Sequence, residues 1–165
     1  CRIVGLADVS HSALAFVGDE FNVTQRETDY RRLLENPEID AVDICAPSAL
    51  HADMCVAALQ AGKHVICEKP MATSRAGANT ILQAVAASGK QLMIGQHMRF
   101  EPSVLALRDF LDRSDVGRIY YTRAQWLRRR RLPGKPAFAD RRLSGGGALY
   151  DIGVHMLDLA WWLMG

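Results

Sequence analysis

The sequence predicts an α/β fold: a Rossmann-type parallel sheet, truncated at its N-terminus, followed by the start of an α+β domain with an open, mainly antiparallel sheet. Short apolar runs without polar alternation, such as "AVDICAP" and "HVICEKP", take turns with segments of helical period. Runs of that kind belong to strands buried on both faces, hence to a parallel sheet covered by helices on each side. After residue 100 the pattern changes to a long β-branched and aromatic stretch. A boundary therefore divides a partial parallel-sheet domain, 1–100, from the start of an α+β domain, 101–165.

The elements follow in order. "RIVGLAD", residues 2–8, is an apolar run closed by an acid. "HSALAFVGDEF" sets Ala13, Phe16 and Val17 at helical spacing. "DYRRLLENPEID" is a short helix stopped by Asn36-Pro37. "AVDICAP", 41–47, is a buried strand broken by Pro47, and "LHADMCVAALQAGK" a helix ended by Gly62. "HVICEKP" is the next strand. "SRAGANTILQAVAASGK" is a helix with Ser74 as N-cap and Gly89 past its end, and "QLMIGQHMRF" is a further strand. Beyond the boundary, "EPSVLALRDFLDRSDVG" is an amphipathic helix. "RIYYTRAQWLRRRR", 118–131, reads as a half-exposed antiparallel strand. A Gly/Pro-rich loop, "LPGKPAFADRRLSGGG", leads to a helix over "ALYDIGVHMLDLAWWLMG". The first residues already read as an interior strand and the last as a helix with no following element, so the expectation is a fragment of a longer protein.

The composition, 49% apolar and 23% charged over 165 residues, suits a globular core. A net charge of +2 gives no basis for a nucleic-acid or anionic-membrane partner. The basic run 128–131, with Arg141 and Arg142, alternates faces in a strand, so it reads as a solvated face or a grip on an anionic substrate group. Four cysteines without CxxC spacing read as reduced core residues of a cytoplasmic protein. No apolar stretch is long enough to span a bilayer.

Several residues carry chemistry. Asp8 stands where a dinucleotide fold places a ribose-binding acid, or it caps the following helix. The glycine-rich turn would lie roughly 20 residues earlier. No cation beside Asp8 suits a 2′-phosphate, which favours NAD over NADP. Pro47, Ser48 and His51 occupy a strand-to-helix turn at the carboxyl end of a parallel strand, where ligands sit. Ser48 caps the helix or faces the cofactor, and His51 joins it or is a surface residue. Glu68 and Lys69 end the next strand, as a crevice pair or a plain ion pair, and Pro70 stops the strand. Asp151, His155 and Asp158 fall at i, i+4 and i+7 on one stripe of a largely apolar helix. A proton-transfer pair explains them better than a metal site, for which no third ligand is apparent. Gly145-Gly146-Gly147 permits close approach of the backbone to a ligand or to the sheet, or forms a flexible loop.

In this order, "ADVS", "IDAVDICAPSALHADMCVAALQAGKHVICEKPMA", "IGQHMRFEP" and "SGGGALYDIGVHMLDLAWWLMG" resemble the glucose–fructose oxidoreductase / inositol dehydrogenase (Gfo/Idh/MocA) family. The resemblance implies a cytoplasmic, homo-oligomeric enzyme that uses NAD, with NADP possible, on a sugar, inositol or related polyol. It implies that Lys69, Asp151 and His155 are catalytic and that Asp8, Pro47, Ser48, His51, Glu68, Lys69 and Arg99 contact the cofactor. Gln96-His97-Met98 depart from the commoner "FNR"-like text. The family's first strand and glycine-rich turn, and most of its second sheet, are missing. In the mechanism so implied, His155 is the general base and Asp151 orients it or binds a substrate hydroxyl. Lys69 bonds the reacting oxygen, and Glu68 tunes Lys69. An NAD-retaining glycoside hydrolase and a non-catalytic sugar- or nucleotide-sensing protein are the alternatives on this scaffold.

Overall fold

Parallel strands need a crossover between them, and here each crossover is a helix. The computed structural model describes residues 1–113, 116–127, 129 and 140–165. It opens with β1 (Gly5–Ala7), α1 (His11–Glu20), β2 (Gln25–Glu27) and α2 (Arg31–Leu34). Next come β3 (Ala41–Ile44), a 3₁₀ turn (Ser48–Leu50), α3 (His51–Gln60), β4 (His64–Cys67), α4 (Arg75–Ser88) and β5 (Leu92–Ile94). A second 3₁₀ turn (His97–Phe100) leads into α5 (Pro102–Arg113). Then α6 (Arg141–Ser144), a π turn (Leu149–Gly153) and α7 (Val154–Met164) complete the described elements.

Among the described residues every ladder is parallel. β1 pairs with β2, and β3, β4 and β5 lie side by side in chain order. β2 is a strand the sequence pattern does not announce. Its text, "QRE", has no apolar run, and only the ladder with β1 defines it. The helix ends obey local chemistry. Ser10 Oγ accepts the Ala13 N–H at 3.3 Å, and Ser74 Oγ accepts the Gly77 N–H at 3.1 Å. Gly89 closes α4 at φ +65°, a conformation that a Cβ disfavours.

The main core forms where Ile44, Val65 and Cys67 of the sheet meet Cys55, Ala58 and Leu59 of α3 and Ile81 of α4. Cys55 and Cys67 are core residues as expected, whereas Cys1 and Cys45 are exposed. Alternate strand residues point the other way. Ile66 is 44% exposed and Met93 48% exposed, so among the described residues only one face of β3–β5 is fully covered.

The second half departs from expectation. Residues 118–127 form no strand; positions 128 and 130–131 of that run lie outside the described residues. A strand exists only as part of a ladder, and among the described residues no strand follows β5 to pair with it. The basic run is therefore described only at Arg129, and the expected antiparallel sheet is not formed by the described residues. Within the expected loop, residues 141–144 are helical, capped by Asp140, whose Oδ1 accepts the Arg142 N–H at 2.9 Å. Among the described residues no helix is long and apolar enough to cross a membrane.

Ile81 is fully buried between α4 and the sheet. Ile81→Ala in the full-length protein is expected to lower unfolding free energy by about 2–5 kcal/mol, read from the urea midpoint at constant m-value.

Candidate active site

β4 delivers its last residues to the carboxyl edge of the sheet. The Glu68 N–H still bonds the Ile44 carbonyl at 3.0 Å, and the ladder ends there. Glu68 Oε2 then accepts the backbone N–H of Lys69 at 3.1 Å. The expected Glu68–amine pairing is therefore replaced by a backbone brace. The amine goes elsewhere: Lys69 Nζ donates to the Asp151 carbonyl at 2.7 Å and to Asp151 Oδ1 at 3.2 Å. Both side chains are mostly withdrawn from water, 14% and 23% exposed, so their attraction is poorly screened.

Asp151 can meet that amine because its turn is wide. Residues Leu149–Gly153 form a π turn, and the Asp151 carbonyl accepts a bond from outside the helix. Turns of this kind recur at functional sites. The approach to the sheet is set by Gly145, at φ +85°, where a Cβ would fall 2.6 Å from Thr73 Cγ2. Tyr150 adds a hydroxyl bond to the Thr73 carbonyl at 3.3 Å. The glycine run thus serves close packing on the loop that leaves Lys69.

One helical turn beyond Asp151, His155 is 4% exposed. Its ring stands edge-to-face with His97 at 4.8 Å between centroids and faces Trp126 at 6.3 Å. Nδ1 is buried with no hydrogen-bond partner among the described residues. Burial lowers the His155 pKa below the usual 6.5, and the positive charges of Lys69 and His97 lower it further, against the opposing pull of Asp151 and Glu68. The imidazole is accordingly held neutral. Of the two roles expected of Asp151, to orient this ring or to bind a substrate hydroxyl, its carboxylate shows no bond to the ring among the described residues; it bonds Lys69 and acts on His155 through its field.

The third member of the stripe has a different partner. Arg99 gives Nε to Asp158 Oδ2 at 2.7 Å and Nη2 to Oδ1 at 2.5 Å. This two-pronged pair takes up the guanidinium expected on the cofactor. Arg99 and Arg108 also lie over the Trp162 ring, and Arg108 Nη1 bonds the Trp162 carbonyl at 2.6 Å near the end of α7. Sequence reasoning missed His97, Trp126 and Arg108. His97 had a signal: it sits two residues before Arg99 in a turn whose text is unusual for the resemblance.

The β3 exit is built differently from its expectation. His51 is no surface residue but 1% exposed. Its Nδ1 lies 2.7 Å from the Pro70 carbonyl and Nε2 lies 2.8 Å from that of Ala46, which pins the β3 and β4 exits together. Both ring nitrogens face the chain's own carbonyls, so His51 braces the crevice rather than contacting a ligand. Pro47 precedes the 3₁₀ turn, and Ser48 makes no capping bond. Both are partly exposed. Asp8, exposed at the end of β1, accepts the Ser10 N–H on Oδ1 at 2.8 Å, while Ser10 is the helix cap. Among the described residues no three His, Cys, Asp or Glu side chains group as metal ligands.

This donor set fits a dinucleotide. An exposed carboxylate follows β1, a partly exposed serine follows β3 and an amine follows β4, at strand ends where parallel sheets bind such groups. Residues 1–96 match the oxidoreductase family with an NAD-binding Rossmann fold, and residues 104–165 match the GFO/IDH/MocA C-terminal domain. The D-glucoside 3-dehydrogenase of Escherichia coli (strain K12) is 34% identical over 164 residues, which cover 99% of this chain and 47% of that protein. The crystal structure of an oxidoreductase domain protein from Kribbella flavida superposes with a TM-score of 0.90 at 33% identity, covering 99% of this chain and 45% of that one. A levoglucosan dehydrogenase in complex with NADH gives 0.84 at 28% identity, covering 99% and 45%. The chain belongs to the Gfo/Idh/MocA family of NAD-binding oxidoreductases. It spans about half the length of the relatives it matches.

His51→Ala leaves the Ala46 and Pro70 carbonyls without this partner. It is expected to reduce stability of the full-length protein by about 1–3 kcal/mol in urea denaturation and to weaken NADH binding in calorimetric titration.

Proposed function

We propose that the full-length protein is a cytoplasmic, nicotinamide-dependent oxidoreductase acting on a CH–OH carbon of a sugar, inositol or related polyol. The observation that carries this reading is the meeting of Lys69 with Asp151 beside a buried, neutral His155. A sensor has no use for such a proton-handling set. The similarity to a D-glucoside 3-dehydrogenase and a levoglucosan dehydrogenase supports the substrate class.

When bound, the dinucleotide supplies the hydride acceptor or donor. Asp8 would hold the adenosine ribose hydroxyls, and its exposed negative charge favours NAD over a 2′-phosphorylated cofactor. Pro47 and Ser48 would line the cofactor at the β3 exit, while His51, Glu68 and Arg99 hold the surrounding turns and α7. His155 takes the proton of the substrate hydroxyl in the oxidative direction, a task for which a neutral imidazole is ready. Lys69 donates to the reacting oxygen and stabilises negative charge as it develops there. Asp151 fixes the amine and compensates its charge. We place the reaction between the β4 exit and α7, with substrate lying between the two halves of the chain.

Lys69→Ala and His155→Ala in the full-length protein should each lower kcat about 10²–10⁴-fold in an NADH-absorbance assay with levoglucosan, methyl glucoside and myo-inositol. Near-normal turnover in both variants, or glycoside cleavage without released NADH, would overturn the reading. Because His155 holds its proton less tightly than an ordinary histidine, the base form persists below pH 6.5. The acidic limb of kcat/KM in the oxidative direction is therefore expected below that value.

A further inference from the structure

A base that is 4% exposed must pass on every proton it takes before it can act again. The titratable groups around His155 are Lys69 and Glu68 from the β4 exit, Asp151 from the π turn and His97 from the β5 exit. Three of them are already engaged with one another. Lys69 Nζ is bonded to Asp151, the Asp151 carboxylate accepts that amine, and Glu68 accepts the Lys69 N–H. Among the described residues, His97 alone of these groups presents a ring against the His155 ring and is also exposed to solvent.

We infer that His97 is the proton exit for His155, a positioning and relay residue that acts through the buried imidazole. The inference rests on His155 being the general base. At a centroid separation of 4.8 Å, one bridging water or a rotation of the exposed ring brings nitrogens of the two imidazoles into hydrogen-bonded reach. The buried Nδ1 of His155, which none of the described residues bonds, then gains a partner.

The proton balance is simple. The neutral His155 carries its proton on Nδ1 and accepts the substrate hydroxyl proton at Nε2. It then gives up the Nδ1 proton to a nitrogen of His97, which releases one to bulk water. A return of the ring to its starting tautomer completes the cycle, and the net transfer is one proton from substrate to solvent. The redox step remains that of the bound dinucleotide; the relay moves protons only. The field agrees with this arrangement, because His97 depresses proton affinity at His155 and so favours onward transfer.

The test uses the full-length protein and the variants His97→Asn and His97→Phe, the second keeping a ring without a titrating nitrogen. With ¹⁵N-labelled histidine, His155 in wild type should be neutral with its proton on Nδ1, and its titration midpoint should rise in either variant. A midpoint unmoved in both means that the rings are uncoupled, and the inference fails. In turnover on levoglucosan, methyl glucoside or myo-inositol at low buffer concentration, either variant should lose at least about tenfold in kcat with KM little changed. Added imidazole should restore the rate in the variants and not in wild type. A loss that imidazole leaves untouched, or kcat within twofold of wild type, overturns the relay. His155→Ala separates the two readings. If that variant is inactive while the His97 variants behave as wild type, only the relay falls; if it stays active, the general-base reading falls and the relay with it.

Discussion

The bond between Lys69 Nζ and Asp151 joins residues 82 positions apart, and the rest of the candidate site depends on it. The lysine reaches it because a parallel strand ends at Cys67 and the Glu68 carboxylate fixes the next peptide. The aspartate reaches it because a π turn opens at residue 149 and Gly145 lets the chain close on Thr73. Each charge is mostly withdrawn from water, so each needs the other; removal of one leaves its partner poorly solvated. Position is therefore specified jointly by the two halves of the chain.

The helix that follows extends this contact in register. Asp151, His155 and Asp158 meet, in order, Lys69 at the β4 exit, His97 at the β5 exit and Arg99 two residues beyond. A helix repeat of 3.6 residues puts these side chains on one stripe. Parallel pairing brings the exits of β4 and β5 to the same edge of the sheet. Arg108 binds α7 near its end through the Trp162 carbonyl, where a cation also suits the helix dipole. The two outer contacts fix the axis and rotation of the helix, and the middle one is left for the imidazole.

Much of this was legible in residue order. Lys69 after an apolar run, and Asp151 and His155 one helical turn apart, are local patterns that tertiary packing did not alter. Partners were not legible in the same way. Glu68 stands beside Lys69 in sequence, yet its carboxylate holds a backbone N–H while the amine crosses to α7. Arg99 reads as a free cation until Asp158, 59 residues later, is folded against it. His51 sits in the first turn of a helix, a position that is often wet, and its burial comes from the β4 exit folding over it. β2 and the run 118–127 show one limit from both sides: pairing, which lies elsewhere in the chain, makes the polar "QRE" a strand and leaves the β-rich run without one.

The electrostatics of the site contain an opposition that its geometry resolves. Burial, and after it the nearby ammonium, keeps His155 neutral and available, but the same surroundings make it a weaker base. A weaker base removes a hydroxyl proton only if that hydroxyl is made more acidic. In the proposed reaction Lys69 supplies this as well, since a donor at the reacting oxygen stabilises the negative charge that deprotonation leaves there. One cation thus lowers proton affinity on both sides of the transfer, and the difference between them can stay small. Asp151 opposes that field at His155, and its carboxylate is bonded to the amine. Small driving forces in both directions suit the reversible oxidation proposed for the full-length protein, and in that scheme the exit of the proton, rather than its capture, is the step that the surrounding protein must assist.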